Sequence, residues 1–479
     1  MVKEQFIELS KKYNKVPIYF KTKNDLFTPT YIMKVLMEKY KSIFLLESAE
    51  VNEKVGRYSF IGINAINVIE FKNNRTYFNN ELVDDDIFSF IDKQLQKINY
   101  PELPELPIFK GGYVGYFAYE IINSIESTVN FNYDLPFYPL VYLSEFEFVI
   151  AIDHFKQTIT IIKNISIQNR NDLLAEYELV NNEIRELYDF IKKGTIKQAE
   201  FNIKSKEKEL KSVDEMKKII EKAKNYIFEG DIFQVVLSNK YMIEYEGDTF
   251  ELYRNLRHIN PSPYMFYLSI DEKLQIIGAS PESLVRCVNN QVTINPIAGT
   301  RKRGKNAEDE ERLINNLLND EKEKAEHLML VDLARNDIGK VSEIGSVKVT
   351  EYMKLNKFSH VMHLVSTVES KLKNNFSVVD LLKSCFPAGT VSGAPKIRAM
   401  QIISELENFY RGIYSGAIGY FDYSKNMDFC IVIRTFVAYD NILELQAGAG
   451  IVADSVPELE IKEIRNKVAV LFEAIKSEV

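Results

Sequence analysis

Four glutamates lie in two pairs, each three residues apart: Glu323 and Glu326 in "DEKEKAEHLMLVDLARND", Glu460 and Glu463 in "PELEIKEIRNK". On a helix that spacing puts both members of a pair on one face, and Lys467 follows Glu463 by one turn. If two such faces converge, the carboxylates form a hard-oxygen site suited to Mg²⁺, an ion that takes few protein carboxylates, keeps waters and clamps an anionic ligand. On separate solvated faces the same pairs would only repel weakly. Spacing alone leaves both arrangements open.

Four glycine turns follow one another from residue 296 onward: "PIAGTRKRG", "FPAGTVSGAPK", "IYSGAIGYF" and "LQAGAGIVADS". Glycine lets the backbone approach a ligand and point N–H groups at an anion. Taken together they suggest a carboxylate-rich ligand. None is a phosphate loop: "GKN" at 304–306 lacks the required Ser or Thr, and no G-x-G-x-x-G opens a helix. Arg434 is a charge inside the apolar run "FCIVIRTFVAY", read as a strand, where a bidentate carboxylate is its natural partner. Glu282, in "IIGASPES", follows an apolar strand and a proline turn, where burial would raise its pKa toward that of a general acid. His360 and His363 share the apolar stretch "HVMHLVS".

These groups must be positioned by elements that the rest of the chain supplies. The 479 residues exceed one core, so two domains are expected. Hydrophobic residues make up 46% and charged residues 27%, an ordinary globular balance. A net charge of −8 argues against general nucleic-acid binding. Three scattered cysteines exclude a disulfide framework or zinc spacing and fit a reduced, cytoplasmic setting. The N-terminus lacks an apolar signal core, and no apolar run is long enough to span a membrane.

Period-2 runs such as "SIFLLES", "RYSFIGI", "INVIEF", "FEFVIAI" and "TITIIK" predict strands over residues 17–165, with a hairpin at Asn73-Asn74. A helix over "NDLLAEYELVNNEIRELYDFIKKG" is expected to start at Asn171 or Asp172 and stop at Gly194. The second half mixes paired strands with helices, among them one over "AEDEERLINNLLNDEKEKAEHLMLVDLARND". The expected architecture is α+β, with a β-rich domain at 1–165, a helical linker at 166–210 and a catalytic domain at 211–479.

The segments "LLES", "GRYSFIG", "NPSPYMFYL", "ASPE", "PIAGTRKRG", "AEHLMLVDLARNDIG", "HVMHLVS", "FPAGTVSGAPK", "YSGAIGYF", "IRT" and "GAGIVADSVPELEIKEIRNK" resemble, in order, the chorismate-utilising enzymes. Within them the chain is most similar to the large subunits of anthranilate synthases, and the likeness covers nearly all of it. The resemblance implies two antiparallel sheets packed as a sandwich with helices outside. It implies Mg²⁺-dependent amination of chorismate at C2, loss of the C4 hydroxyl and elimination of pyruvate to give anthranilate, the first committed step toward tryptophan. Ammonia would come from a separate glutamine amidotransferase subunit, because no cysteine here sits in a Gly-flanked nucleophile turn.

The implied roles fall on matching positions. Glu326 and Glu463 match magnesium ligands, with Glu323 and Glu460 as water-mediated partners. Gly299, Thr300, Tyr414, Arg434, Gly448, Ala449, Gly450 and Lys467 match contacts to chorismate, mostly to its two carboxylates. Glu282 matches the acid that protonates the departing hydroxyl; His363 assists the loss of pyruvate, and Thr390 lines the same site. Where aminodeoxychorismate synthases carry a nucleophilic lysine this chain has Ala298, which cannot attack. Where the isochorismate-forming members carry a lysine base it has Gln234, an amide able to hydrogen-bond ammonia. Ser48 and Pro261, Ser262, Pro263, Tyr264 and Met265 resemble a tryptophan feedback pocket. An aminodeoxychorismate synthase component working without the lysine, and a catalytically silent chorismate or tryptophan sensor, are the competing readings.

Overall fold

A computed structural model describes residues 1–48, 56–168, 172–197, 199–271, 273–357 and 361–476, with the side chains of Thr300, Lys322 and Val361 outside that description. His360 and Asn171 also lie outside the described residues. The antiparallel α+β expectation is borne out: among the described residues every strand pair is antiparallel, and shared strands join the ladders into one large sheet network with helices packed around it.

Local chemistry explains the elements. Asn73 (φ 53°) and Asn74 (φ 55°) close the tight hairpin between Lys72 and Arg75, both in the left-handed region that asparagine tolerates. Asp172 caps helix Leu173–Lys193 by accepting from the N–H groups of Leu174 and Ala175. That helix buries Val180, Ile184, Leu187 and Ile191, one stripe at helical spacing, and ends at Gly194. Strand Val141–Asp153 is buried along almost its whole length, so both its faces are covered. Ser212 and Glu215 form a capping box that starts helix Val213–Phe228 just after the Lys/Glu-rich segment.

Strands from the first 165 residues pair with strands beyond 210. Ile43–Glu47 lies beside Tyr264–Ile270, with Glu47 opposite Met265, and Gly112–Phe117 lies beside Ala417–Asp422. Among the described residues no helix is long and apolar enough to cross a membrane.

Two readings of local structure are corrected. The long helix expected over 307–337 is two helices, Ala307–Leu318 and Glu321–Gly339. Asn319 ends the first, and Asp320 caps the second by accepting from the N–H of Glu323 at 3.2 Å. The strand expected through Arg434 is also two, Met427–Ile431 and Thr435–Tyr439, with Arg434 in the break at φ 49°. A bulky residue held in that region is strained, and such strain concentrates at functional sites.

Candidate active site

The floor of the site is built by strands Gln234–Gly247 and Ile442–Ile451, which run antiparallel with Val236 opposite Gly450 and Ser238 opposite Gly448. Two glycines are required by close approach. A Cβ at Gly448 would stand 2.9 Å from the Leu237 carbonyl and 3.0 Å from the Tyr414 hydroxyl, and one at Gly450 would meet Gln234 Nε2 at 2.4 Å. The structure thus brings Gln234, Tyr414, Gly448 and Gly450 together. Ala449 points the other way and is wholly buried in the core, so only its backbone can serve the floor. Helix Pro457–Lys476 buries Ile461, Ile464, Val468, Leu471 and Ala474. That packing aims Lys467 at the floor, where Nζ donates to the Gly448 carbonyl at 2.9 Å and pairs with Glu463 at 2.8 Å.

Above the floor sits Glu282, in the turn after strand Leu274–Ser280. The turn is tied at both ends: the Glu282 N–H donates to Ser280 Oγ at 3.3 Å, and the Glu282 carbonyl accepts from the Ile431 N–H at 3.0 Å. Burial pushes its carboxyl up to about 7, against the opposing pull of Thr390, Lys467 and Arg434. Thr390 lines the same small cavity as Glu282, and the charges of Lys467 and Arg434 act on the carboxyl there. Thr390 Oγ1 is buried without a hydrogen bond of normal geometry, and its wall encloses a cavity of about 40 Å³. Arg434 donates from Nη1 to Asn260 Oδ1 at 3.3 Å; burial works against its charge and Glu282 supports it.

His363 and Gly299 close the third side. Strand Ile297–Lys302 pairs with Val361–Lys371, and the register shifts between Ala298 and Thr300, so Thr300 lies opposite His363 and Gly299 bulges at φ 65°. His363 Nδ1 lies 3.1 Å from the Gly299 carbonyl. A carbonyl only accepts, so Nδ1 carries the proton and Nε2 is the basic nitrogen. Burial lowers the imidazole pKa, the Gly299 bond offsets part of this, and Arg434 lowers it further. His363 is therefore neutral near pH 7. Ala298, in the same strand, is 9% exposed.

One glutamate of each pair is tied to this space, Glu323 beside Gly299 and Glu463 through Lys467. Glu323 meets Arg301 Nη1 at 2.9 Å and approaches the bulge, since a Cβ on Gly299 would stand 3.3 Å from Glu323 Oε2. Glu463 is held by Lys467, while Glu326 and Glu460 are half-buried. Among the described residues no three His, Cys, Asp or Glu side chains converge as a ready metal cluster. The donor set nevertheless suits magnesium: all are carboxylate oxygens, partly open to water, and that ion needs only one or two of them.

The segments expected to form a regulatory pocket are also neighbours. Ser48 follows Glu47, whose strand partner is Met265, and Pro261 to Tyr264 form the turn leading in. Ser262 is buried and donates to the Asn260 carbonyl at 3.2 Å, and Tyr264 donates to Asp428 at 3.0 Å. Sequence reasoning missed what lies beneath. Buried Glu47 accepts from Tyr253 Oη at 2.5 Å, Arg257 Nε at 2.7 Å and Ser59 Oγ at 3.2 Å. It also missed Asn260, which touches both Arg434 and Ser262. A polar residue just before a Pro-rich turn was the available signal.

A family model described as chorismate binding enzyme matches residues 41–473. The chain is 44% identical to anthranilate synthase component 1 of Aquifex aeolicus, over 99% of this chain and 97% of that protein. Its fold is similar to the crystal structure of anthranilate synthase component I from Streptococcus pneumoniae, with a TM-score of 0.79, 37% identity, and coverage of 88% of this chain and 93% of that one. The menaquinone-specific isochorismate synthase of Escherichia coli shares the fold at a TM-score of 0.73 and 19% identity, over 99% and 98% of the two chains.

Proposed function

The chain belongs to the family of chorismate binding enzymes, and from that membership we propose that it converts chorismate to anthranilate with free ammonia as the nucleophile. One observation carries the reading: the carboxylic acid Glu282, set into the wall of a small cavity, lies within the field of two cations, Lys467 and Arg434, at a site where positions 234 and 298 hold an amide and a methyl group instead of lysines. Arg434 and Lys467, with the glycine floor, bind the carboxylates of the substrate. The ammonia lone pair forms the C2–N bond, the ring double bonds shift, and the C4–O bond breaks as Glu282 gives its proton to the departing hydroxyl, which leaves as water, while the new C2 ammonium releases one proton to solvent. Nε2 of His363 then takes the proton from C2. The ring aromatises, the bond from C3 to the enolpyruvyl oxygen breaks, and pyruvate departs after protonation at its methylene carbon. Glu326 and Glu463, aided through water by Glu323 and Glu460, are the residues that would hold a magnesium ion, whose charge would anchor the ring carboxylate.

A separate glutamine amidotransferase subunit is part of the proposal. All three cysteines are buried, and burial pushes the Cys287 and Cys385 thiols up to about 11 and about 12, the opposite of an activated nucleophile. The relatives named component 1 fit such a division. Alone, the chain is expected to use ammonium salts. The test is purified chain with chorismate, Mg²⁺ and ammonium, read by anthranilate fluorescence; unchanged chorismate after prolonged incubation refutes the reading.

Arg434→Gln is expected to raise the KM for chorismate about 30-fold, the worth of one charge-assisted contact of roughly 2 kcal/mol, with a smaller change in kcat. Steady-state kinetics at fixed ammonium checks this, and an unchanged KM removes Arg434 from substrate binding. Tryptophan is proposed to inhibit by binding where Ser48 meets the Pro261–Met265 turn, coupling that pocket to chorismate affinity. Ser48→Arg fills the space and is expected to abolish inhibition while leaving basal turnover within about twofold. Full retention of inhibition would place the inhibitor elsewhere.

A further inference from the structure

Arg411 is the largest fully buried side chain of the fold, with 1% of its surface exposed. Burying a guanidinium is costly unless every N–H finds an acceptor. Here all five do. Nε donates to Glu407 Oε2 at 2.8 Å, Nη2 to Glu407 Oε1 at 2.6 Å and to the Val236 carbonyl at 2.7 Å, and Nη1 to the Val391 carbonyl at 2.7 Å and Ser415 Oγ at 3.3 Å.

Each acceptor lies beside a residue of the proposed site. Val236 is two residues from Gln234 on the floor strand, Val391 follows Thr390, and Ser415 follows Tyr414, whose ring centre is 5.8 Å from the guanidinium carbon. Glu407 completes the frame. Its Oε1 also accepts from the Ser238 N–H at 2.7 Å and Oγ at 2.8 Å, and Ser238 is the strand partner of Gly448. The turn carrying the arginine is itself fixed from the first half of the chain. Buried Glu120 accepts from the Arg411 N–H at 2.6 Å and the Gly412 N–H at 3.0 Å.

We propose that Arg411 is a positioning residue for the reaction, its planar fork setting the spacing of the three segments that carry Gln234, Thr390 and Tyr414. This rests on the function proposed above. Lysine at 411 would keep the charge opposite Glu407, but a single ammonium cannot reach acceptors on all these segments. Binding that depends on their spacing should then weaken while the fold persists.

The experiment compares Arg411→Lys with the unaltered chain, well below both melting temperatures. The KM for chorismate is expected to rise about 10-fold or more, with the KM for ammonium within about twofold. A purely structural arginine would lower the melting temperature and leave the chorismate KM of the folded protein unchanged, and that result overturns the proposal. If Arg411→Lys does not fold, Ser415→Ala removes one acceptor and keeps the ion pair. A rise of about threefold in the same KM is then expected, and no rise overturns the proposal. Absence of turnover in the unaltered chain would instead refute the proposed function. Chorismate affinity by calorimetry, expected to weaken by the same factors, would still decide the role of Arg411.

Discussion

Glu282→Gln is expected to lower kcat for ammonia-dependent anthranilate formation by about 10³-fold, within the range of a lost general acid. The KM for chorismate should stay within about threefold, because glutamine keeps the shape and the turn bonds are made by the backbone of residue 282. The same carboxyl sets a pH dependence. Its folded pKa, about 7, is raised by burial above its ordinary 4.5. The acid is in its working form below about pH 7, so kcat measured at constant unprotonated ammonia should fall as pH rises through 7. Stability follows with the same sign. Between pH 4.5 and 7 the folded state binds the proton that the unfolded state releases, so stability drops across that window and the penalty is complete above it. Glu282→Gln should therefore melt a few degrees above the unaltered chain at pH 8 and gain nothing at pH 4. A variant that is slow but shows no pH-dependent gain would mean that Glu282 is not held as a buried acid.

Removal of divalent cations is expected to cost at least about 10²-fold in turnover, the several kcal/mol that metal-centred charge stabilisation supplies, and Mg²⁺ should restore it. The reason is local charge. Glu323 and Glu463 border the site, and the cations seen on them, Arg301 and Lys467, come from the protein itself. Arg301 is shared with Asp320 at 2.8 Å, and Lys467 also serves the Gly448 carbonyl. A dianionic substrate approaching that border meets repulsion unless a divalent ion stands between. Glu326→Gln and Glu463→Gln should each reproduce the loss. Full activity after chelation would end the metal proposal.

Much of the site was legible because it is written in short segments. The apolar run of "IIGASPES" breaks at a proline, and this placed Glu282 at a buried strand end. The crowded glycines of "QAGAG" announced a close approach, which proves to be Tyr414 at Gly448 and Gln234 at Gly450. Arg434 stood out as a charge in an apolar run, but the run hid the backbone break that holds it at φ 49°. What could not be read depends on distant partners. Glu120 binds the backbone of Arg411 across 291 residues, and no periodicity marks either as buried. The two glutamate pairs show the same limit: spacing puts each pair on one helix face, while helix packing and competing cations decide what those faces meet. The split at Asn319-Asp320 was missed because the charge pattern runs on unbroken through both helices.

In the proposed reaction this site admits free ammonia at C2 of chorismate because neither Ala298 nor Gln234 supplies a lysine in its place. Incubation with ¹⁵N-ammonium, chorismate and Mg²⁺, followed by NMR of the products, tests it directly. The expected product is anthranilate with ¹⁵N on the ring carbon next to the one bearing the carboxyl group, with one pyruvate released per chorismate consumed. A product labelled at C4 that keeps its enolpyruvyl group would contradict it.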